Sequence, residues 1–228
     1  MSHHTPTITL HWLEKSRAQR ILMLLEEIGV PYQTKTYKRD PTTRAAPPQL
    51  KKIHPLGKSP VITVGDRTIA ESALIVEYLS EHFAPHLIPS KWKTGCEGKI
   101  GGETEEYMRY RYFMHYCEGS LMPLFLLAVL SKDSKEYLDT SFATRFAFLE
   151  EQLSSAPNGG PYLCGQTLTG ADIMLGFPVL LVAGGWGNLD VDKARFPKLF
   201  WYAEALKKIE SYRKAEAKVV ALEGELSA

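Results

Sequence analysis

Cysteine is scarce in this sequence, and its placement excludes two kinds of protein. Cys96, Cys117 and Cys164 are odd in number and far apart. They form neither a disulfide framework nor a paired metal-ligand spacing, which favours a reducing compartment and leaves no metal expected. Net charge is scarce too. With 27 Lys and Arg against 26 Asp and Glu, the chain carries +1, so no global field draws it to nucleic acid or acidic membranes. Long hydrophobic runs are missing. Leu121–Leu130 is broken by Pro123, and Ile173–Trp186 by Pro178. Both fall short of the roughly 20 apolar residues of a span, so no integral membrane segment is expected. The N-terminus has no charged-then-apolar signal pattern. His3 and His4 are assigned no role.

A phosphate-binding loop is also lacking, although Gly57-Lys58-Ser59 imitates its end. That loop needs a Gly five residues earlier and a helix afterwards, so that backbone N–H groups converge on phosphate. Lys52 stands in the first place, and Pro60 followed by the β-type run Val61–Val64 in the second.

What is present is an ordinary globular composition, 228 residues and 44% hydrophobic, enough for one large or two small domains. Thr7–Trp12 reads as a strand. A helix follows from near Ser16, with Ile21, Leu24, Leu25 and Ile28 at helical spacing and Gly29 and Pro31 to stop it. Tyr32–Tyr37 is a second strand, so the chain opens as a parallel crossover unit. Lys38–Ile53 is basic and Pro-rich, with a short helix expected at Pro48–Ile53. Val61–Val64 and Arg67–Ala70 flank Gly65-Asp66, a hairpin signal. A helix then opens at Glu71-Ser72, with Leu74, Ile75, Tyr78 and Leu79 on one face. The layout is βαβ, then ββα, over residues 1–84.

Residues 85–102 are rich in Pro, Gly and Lys and read as a linker. Residues 103–228 show no strand. Helices are predicted at Glu103–Leu130, bent near Pro123, and at Lys135–Leu153, Ala171–Val182, Lys198–Ile209 and Tyr212–Leu222. The second domain is all-helical.

Two motifs carry binding chemistry. Ser59-Pro60 stands just before a strand, one of the few places a sheet admits proline; a cis bond there would turn the Ser59 backbone outward. In "AESALIVEYL", Ser72 occupies an expected N-cap. A helix N-terminus is suited to a carboxylate and Glu71 to an ammonium, so together they fit an amino-acid zwitterion. A plain cap beside an exposed acid is the alternative. "LTGADIML" reads as a structural capping box, with Thr169 at N-cap, Asp172 at N3 and a staple between Leu168 and Ile173.

In this order and spacing, "HPLGKSPVI", "AESALIVEYL" and "LTGADIML" resemble the cytosolic glutathione transferases over nearly the whole chain. The resemblance implies an α/β thioredoxin-like N-terminal domain (βαβ-ββα) and an all-α C-terminal domain. It implies a homodimer, with glutathione as co-substrate and a small hydrophobic electrophile as second substrate, in detoxification and stress response. By resemblance, Ser59 before Pro60 holds the cysteinyl part, Glu71 and Ser72 hold the γ-glutamyl end, and Lys58 reaches the glycyl carboxylate. Pro31 to Pro60 contains seven Lys or Arg and one acid, Asp40, a basic rim for an anionic peptide that equally suits solvated surface; Lys38 and Lys52 are further candidates within it.

The thiol must lose its proton. At a pKa of about 8.5, only a few per cent is thiolate near neutrality. In serine-type members a Ser precedes an Arg of the first helix by four residues. "SRAQR" repeats that spacing with Ser16 and Arg20, so Ser16 is the catalytic candidate, with N-cap of the helix as its competing role. The motif departs from the commoner pattern, which has Pro and Cys within it. No Tyr or Cys lies between Trp12 and Ile28, which argues against tyrosine-type and cysteine-type sites. Tyr107, Tyr110 and Met114 share a helical face suited to the electrophile, to the core or to dimer packing. His115 reads as a hydrogen-bond donor to glutathione or as a core histidine. "RAQRILMLLEEIGVPYQTKTYKRD" and "HYCEGSLMPL" look most like fungal and bacterial members, including yeast-type transferases that associate with endoplasmic reticulum membranes. A cytoplasmic location is expected, with peripheral association as the variant. The alternatives are a glutathione-dependent peroxidase or disulfide reductase on the same site, and a non-catalytic binding or regulatory protein on the same fold.

Overall fold

The computed structural model describes residues 6–130, 135–186, 189 and 191–224. His3 and His4 lie outside them. The chain divides into two compact units: residues up to Phe83 together with the segment from Glu210, and Ala84–Ile209.

Unit 1 is built on a four-stranded sheet. Strands β1 (Ile8–Leu13), β2 (Tyr32–Tyr37), β3 (Val61–Val64) and β4 (Arg67–Ala70) lie in the order β2-β1-β3-β4. β1 and β2 are parallel, linked by helix α1 (Ala18–Ile28); the other pairs are antiparallel. Period-two alternation sets the faces of β1. Ile8, Leu10 and Trp12 are buried on one face. On the other, Leu13 packs with Tyr37, Leu50 and Ala46, the last two from the β2–β3 connection, where Pro48–Lys52 forms a 3₁₀ turn. The α1 segment Ile21–Leu25 is fully apolar and buried, and Gly29 ends the helix at φ 71°, its N–H on the Leu25 carbonyl.

Helix α2 (Ser72–Phe83) buries Ile75, Val76 and Leu79, whereas Leu74 is exposed. The expected face is thus rotated by one position, Val76 replacing Leu74. Helix α8 (Glu210–Glu223), read from the sequence as part of the helical domain, packs against α1 in unit 1. Lys218 Nζ donates to Glu26 at 2.5 Å and to the Tyr32 hydroxyl at 2.8 Å, and Tyr32 donates to Glu26.

Unit 2 contains α3 (Glu105–Tyr116), α4 (Met122–Leu130), α5 (Lys135–Ser154), α6 (Gly170–Ala183) and α7 (Pro197–Lys207). The Pro- and Gly-rich stretch at its start is folded. Successive backbone bonds Cys96→Lys93, Lys99→Cys96 and Gly102→Lys99 wind it into turns, closed by Lys93→Gly102. α3 and α4 form one 26-residue helical run, Glu105–Leu130, which is long and apolar enough to cross a membrane by length and composition. Tyr110, Phe113, Met114, Cys117, Leu121, Leu124 and Phe125 along it are buried within the protein, as in a core helix. The irregularity expected at Pro123 falls earlier, in a π turn at Cys117–Leu121, and the Ser120 carbonyl there accepts from Arg145 Nε at 3.0 Å. Pro123 follows directly in the first turn of α4, so the wider π turn stands where the missing proline N–H interrupts the helical ladder.

At the start of α6, Asp172 is fully buried. Its carboxylate accepts from the Thr169 and Leu163 N–H groups and from the Thr169 and Tyr202 hydroxyls, at 2.8 to 3.0 Å. The shorter reach of Asp is suited to this, because the carboxylate serves the cap and two neighbouring elements at once.

Candidate active site

Three strand ends meet at one edge of the sheet in unit 1. His11 of β1 lies opposite Val61 of β3, and Val61 opposite Ala70 of β4. The end of β1, the start of β3 and the end of β4 are therefore side by side. Just beyond those ends stand Glu14–Arg17, Ser59–Pro60 and Glu71–Ser72. The topology thus brings Ser16, Ser59, Pro60, Glu71 and Ser72 together from distant parts of the chain, with Lys58 exposed one residue further out.

The Ser59–Pro60 bond is cis. Ser59 Oγ donates to the His11 carbonyl at 3.0 Å, fastening the turn to β1. Gly57 has φ +58°, and a Cβ there would meet Lys51 Cγ at 2.8 Å. The Gly of the Gly-Lys-Ser triplet is thus required by a tight turn.

Glu71 has φ +73°, uncommon for a residue with a side chain. Its carbonyl accepts from Ile75 N–H at 2.9 Å. Glu71 therefore holds the N-cap position, and Ser72, the expected cap, is the first helical residue and buried. The Glu71 side chain is exposed.

Ser16 is 8% exposed. Its Oγ accepts from Ala18 N–H at 3.2 Å. Helix α1 begins at Ala18, and Arg17, at the N-cap position, makes no side-chain cap bond. Ser16 thus caps α1 from one residue further out with a lone pair, which leaves its O–H to donate elsewhere. The first turn of α1 has no acid to offset the positive end of the helix, and Arg20 in that turn is buried.

The residue before Ser16 was not singled out from the sequence. Lys15 has φ +49°. Its N–H donates to Glu223 Oε1 at 3.0 Å, and its carbonyl accepts from Arg39 Nη2 at 3.2 Å. Arg39 Nε also holds the Glu14 carbonyl, and Trp12 Nε1 donates to Glu223 Oε1. No spacing rule joins these residues; their meeting depends on where α8 docks.

His11, also unforeseen, is buried beneath the same region. Its ring nitrogens lie 3.0 Å from the Tyr37 hydroxyl and 3.4 Å from Thr63 Oγ1. Burial, and secondarily the charge of Lys35, lower its pKa. A surface cavity of about 610 Å³ on the β2 edge is lined by Lys35, Lys38, Lys52 and Gln49 among others. It gathers part of the basic rim, and none of Ser16, Lys58, Ser59, Pro60, Glu71 and Ser72 lines it.

The remaining candidates lie in unit 2. Tyr110 and Met114 are buried, Tyr107 is half-buried with its ring 6.3 Å from that of Tyr110, and His115 is exposed beside Arg111 at 3.3 Å. His115 is therefore not a core histidine. Cys117 and Cys164 are buried, and burial pushes the Cys164 thiol far above its ordinary range. Cys164 is thus kept protonated, unlike a reactive cysteine.

Comparison with known proteins identifies the family. Residues 16–82 match the family model of the glutathione S-transferase N-terminal domain, and residues 128–216 that of the C-terminal domain. Glutathione S-transferase 1 of Saccharomyces cerevisiae is 31% identical, over 95% of this chain and 97% of that protein. The chain belongs to the glutathione S-transferase family. Glutathione S-transferase 3 of Schizosaccharomyces pombe is also 31% identical, over 75% of this chain and 73% of that protein. The crystal structure of a glutathione S-transferase from Actinobacillus pleuropneumoniae superposes with a TM-score of 0.73 at 30% identity, covering 93% of this chain and 92% of that one. The transferase fold therefore has its expected parts, a thioredoxin-like mixed sheet with helices and a helical unit.

Proposed function

We propose that this transferase joins the sulfur of glutathione to small hydrophobic electrophiles. The observation that carries the reading is the convergence of Ser16, Ser59–Pro60 and Glu71–Ser72 at one sheet edge. In this reading the γ-glutamyl carboxylate sits at the N-terminus of α2 with Ser72, and its ammonium meets Glu71. The Ser59 backbone holds the cysteinyl unit and Lys58 meets the glycyl carboxylate. The Ser16 hydroxyl donates to the thiolate, and the positive end of α1 adds to that stabilisation. Lowering the thiol pKa by about two units corresponds to roughly 2.7 kcal/mol of preferential thiolate binding. The thiol proton leaves to solvent, the sulfur attacks, and with a chloroarene a C–S bond replaces the C–Cl bond with loss of chloride. Of the α3 candidates, Tyr110 and Met114 are buried and serve the core, which leaves half-buried Tyr107 and exposed His115 as the proposed contacts for the electrophile. Detoxification, stress response, a homodimer and a cytoplasmic location belong to the same reading.

The test is retention on immobilised glutathione followed by conjugation of a chlorinated dinitrobenzene. Retention and turnover are expected. Absence of retention overturns the glutathione-dependent reading. Retention with peroxide or disulfide turnover and no conjugate moves the chemistry to redox.

A further inference from the structure

We propose that Glu223, on the last described helix, is a positioning residue for the thiol chemistry, acting on Ser16 through the backbone of Lys15. The inference rests on the assignment of Ser16 as the thiolate's donor. Lys15 is a non-glycine residue in the left-handed region at φ +49°. Such a conformation persists only where its surroundings impose it. Here both of its peptide groups are held. The N–H donates to Glu223 Oε1 at 3.0 Å, and the carbonyl accepts from Arg39 Nη2 at 3.2 Å. The same Glu223 oxygen accepts from Trp12 Nε1 at 3.0 Å, which ties it to the buried end of β1. Arg39 is fixed in turn, because its Nε donates to the Glu14 carbonyl and its own N–H donates to Glu14 Oε1.

The clamp thus spans three elements, β1, the segment after β2, and α8. It fixes the peptide immediately before Ser16. A hydroxyl donor to a thiolate depends on direction, and a small rotation of the Lys15–Ser16 peptide redirects it. Glu223 acts in this from the N–H side of Lys15, and Arg39 from its carbonyl side.

The experiment compares Ser16→Ala, Glu223→Ala and Glu223→Gln by the pH dependence of kcat/KM and by the ultraviolet absorbance of enzyme-bound glutathione thiolate. Circular dichroism confirms folding. For Glu223→Ala the acid limb is expected to move alkaline, with roughly three- to tenfold lower kcat/KM near about pH 6.5, less than about twofold near about pH 9, and Kd for glutathione within about twofold. Glu223→Gln keeps an oxygen for both N–H donors and is expected to restore at least about half of the lost rate.

A shifted profile in Ser16→Ala with an unshifted one in Glu223→Ala overturns the clamp alone. An unshifted profile in Ser16→Ala removes the assignment of Ser16 and the clamp's role with it. A Glu223→Gln variant as impaired as Glu223→Ala shows that charge rather than position matters, and overturns the inference. If Glu223→Ala does not fold, Arg39→Lys loosens Lys15 at its carbonyl, on the following peptide; the same alkaline shift is expected there, and its absence is equally decisive.

Discussion

The Ser59 hydroxyl donates to the His11 carbonyl oxygen at 3.0 Å, across 48 positions of sequence. It pins the start of β3 to β1 and directs the side chain into the protein. In the proposed function, a peptide at Ser59 would then meet its backbone rather than its hydroxyl. Ser59→Ala is expected to cost about 1 kcal/mol of stability through the lost bond, while KM for glutathione changes by less than about threefold. A rise of more than about tenfold in steady-state kinetics would show that the hydroxyl itself binds.

Glu71 combines an exposed carboxylate with a left-handed backbone. Glycine adopts that conformation without a Cβ penalty. Glu71→Gly is therefore expected to leave thermal stability within about 1 kcal/mol of the parent, with strain relief opposing the extra freedom of the unfolded chain. Removal of the anion is expected to weaken glutathione binding by roughly tenfold or more. Calorimetric titration and a melting curve on the same sample separate the two effects.

Acid should act first through His11. Its imidazole is buried, and burial followed by Lys35 lowers its pKa. The unfolded chain takes up a proton near about pH 6.5, whereas the folded protein resists it to lower pH. Stability is thus fully present above that value and declines as pH falls below it. His11→Gln is expected to flatten the fall between about pH 7 and pH 5 in urea titrations. An unchanged slope would remove His11 as its source.

A second acid window belongs to Glu26. Burial raises its pKa, but hydrogen bonds from Lys218 and Tyr32 outweigh that and leave the carboxyl below its ordinary value. Burial and the bond to Glu26 push Tyr32 up to about 12, so it remains a donor. The Glu26 contribution is present above its unfolded pKa of about 4.3 and disappears as pH falls through the folded value. Lys218 is half exposed, so Lys218→Met is expected to cost only about 1 kcal/mol after solvent screening. Urea melts at low and high salt check this, with the smaller difference expected at high salt.

Asp172 has no such discount. Truncation to Ala would strip an acceptor from two N–H groups and two hydroxyls in a buried site. A loss of about 3 kcal/mol or more is expected. KM for glutathione in the surviving folded fraction should not change, which kinetics below the melting temperature would test.

Local patterns account for what was legible in advance. Runs of β-type residues and the Gly65-Asp66 hairpin signal announced the four strands, Gly29 the end of α1, and Thr169 with Asp172 the start of α6. The loop residues at the sheet edge followed from the order of motifs. Long-range placement was harder to read. Nothing in the spacing of "ESYRKAEAKVVALE" says that α8 rests on α1, so Glu223 drew no attention. The cap before α2 was displaced by one residue because Glu71 adopts a backbone that favours glycine. The aromatic residues of α3 offered several faces, and packing, which sequence does not list, chose among them.

The docking of α8 on α1 has a consequence for the order in which the protein is made. The sheet leaves the ribosome first, yet the helix that holds Lys15 and Glu26 follows only after all of unit 2. A chain released before Glu210 would have every strand and every proposed glutathione contact of unit 1 but lack the helix that fastens them. The thioredoxin-like unit is therefore begun first and completed last, and its assembly waits on its helical neighbour's synthesis.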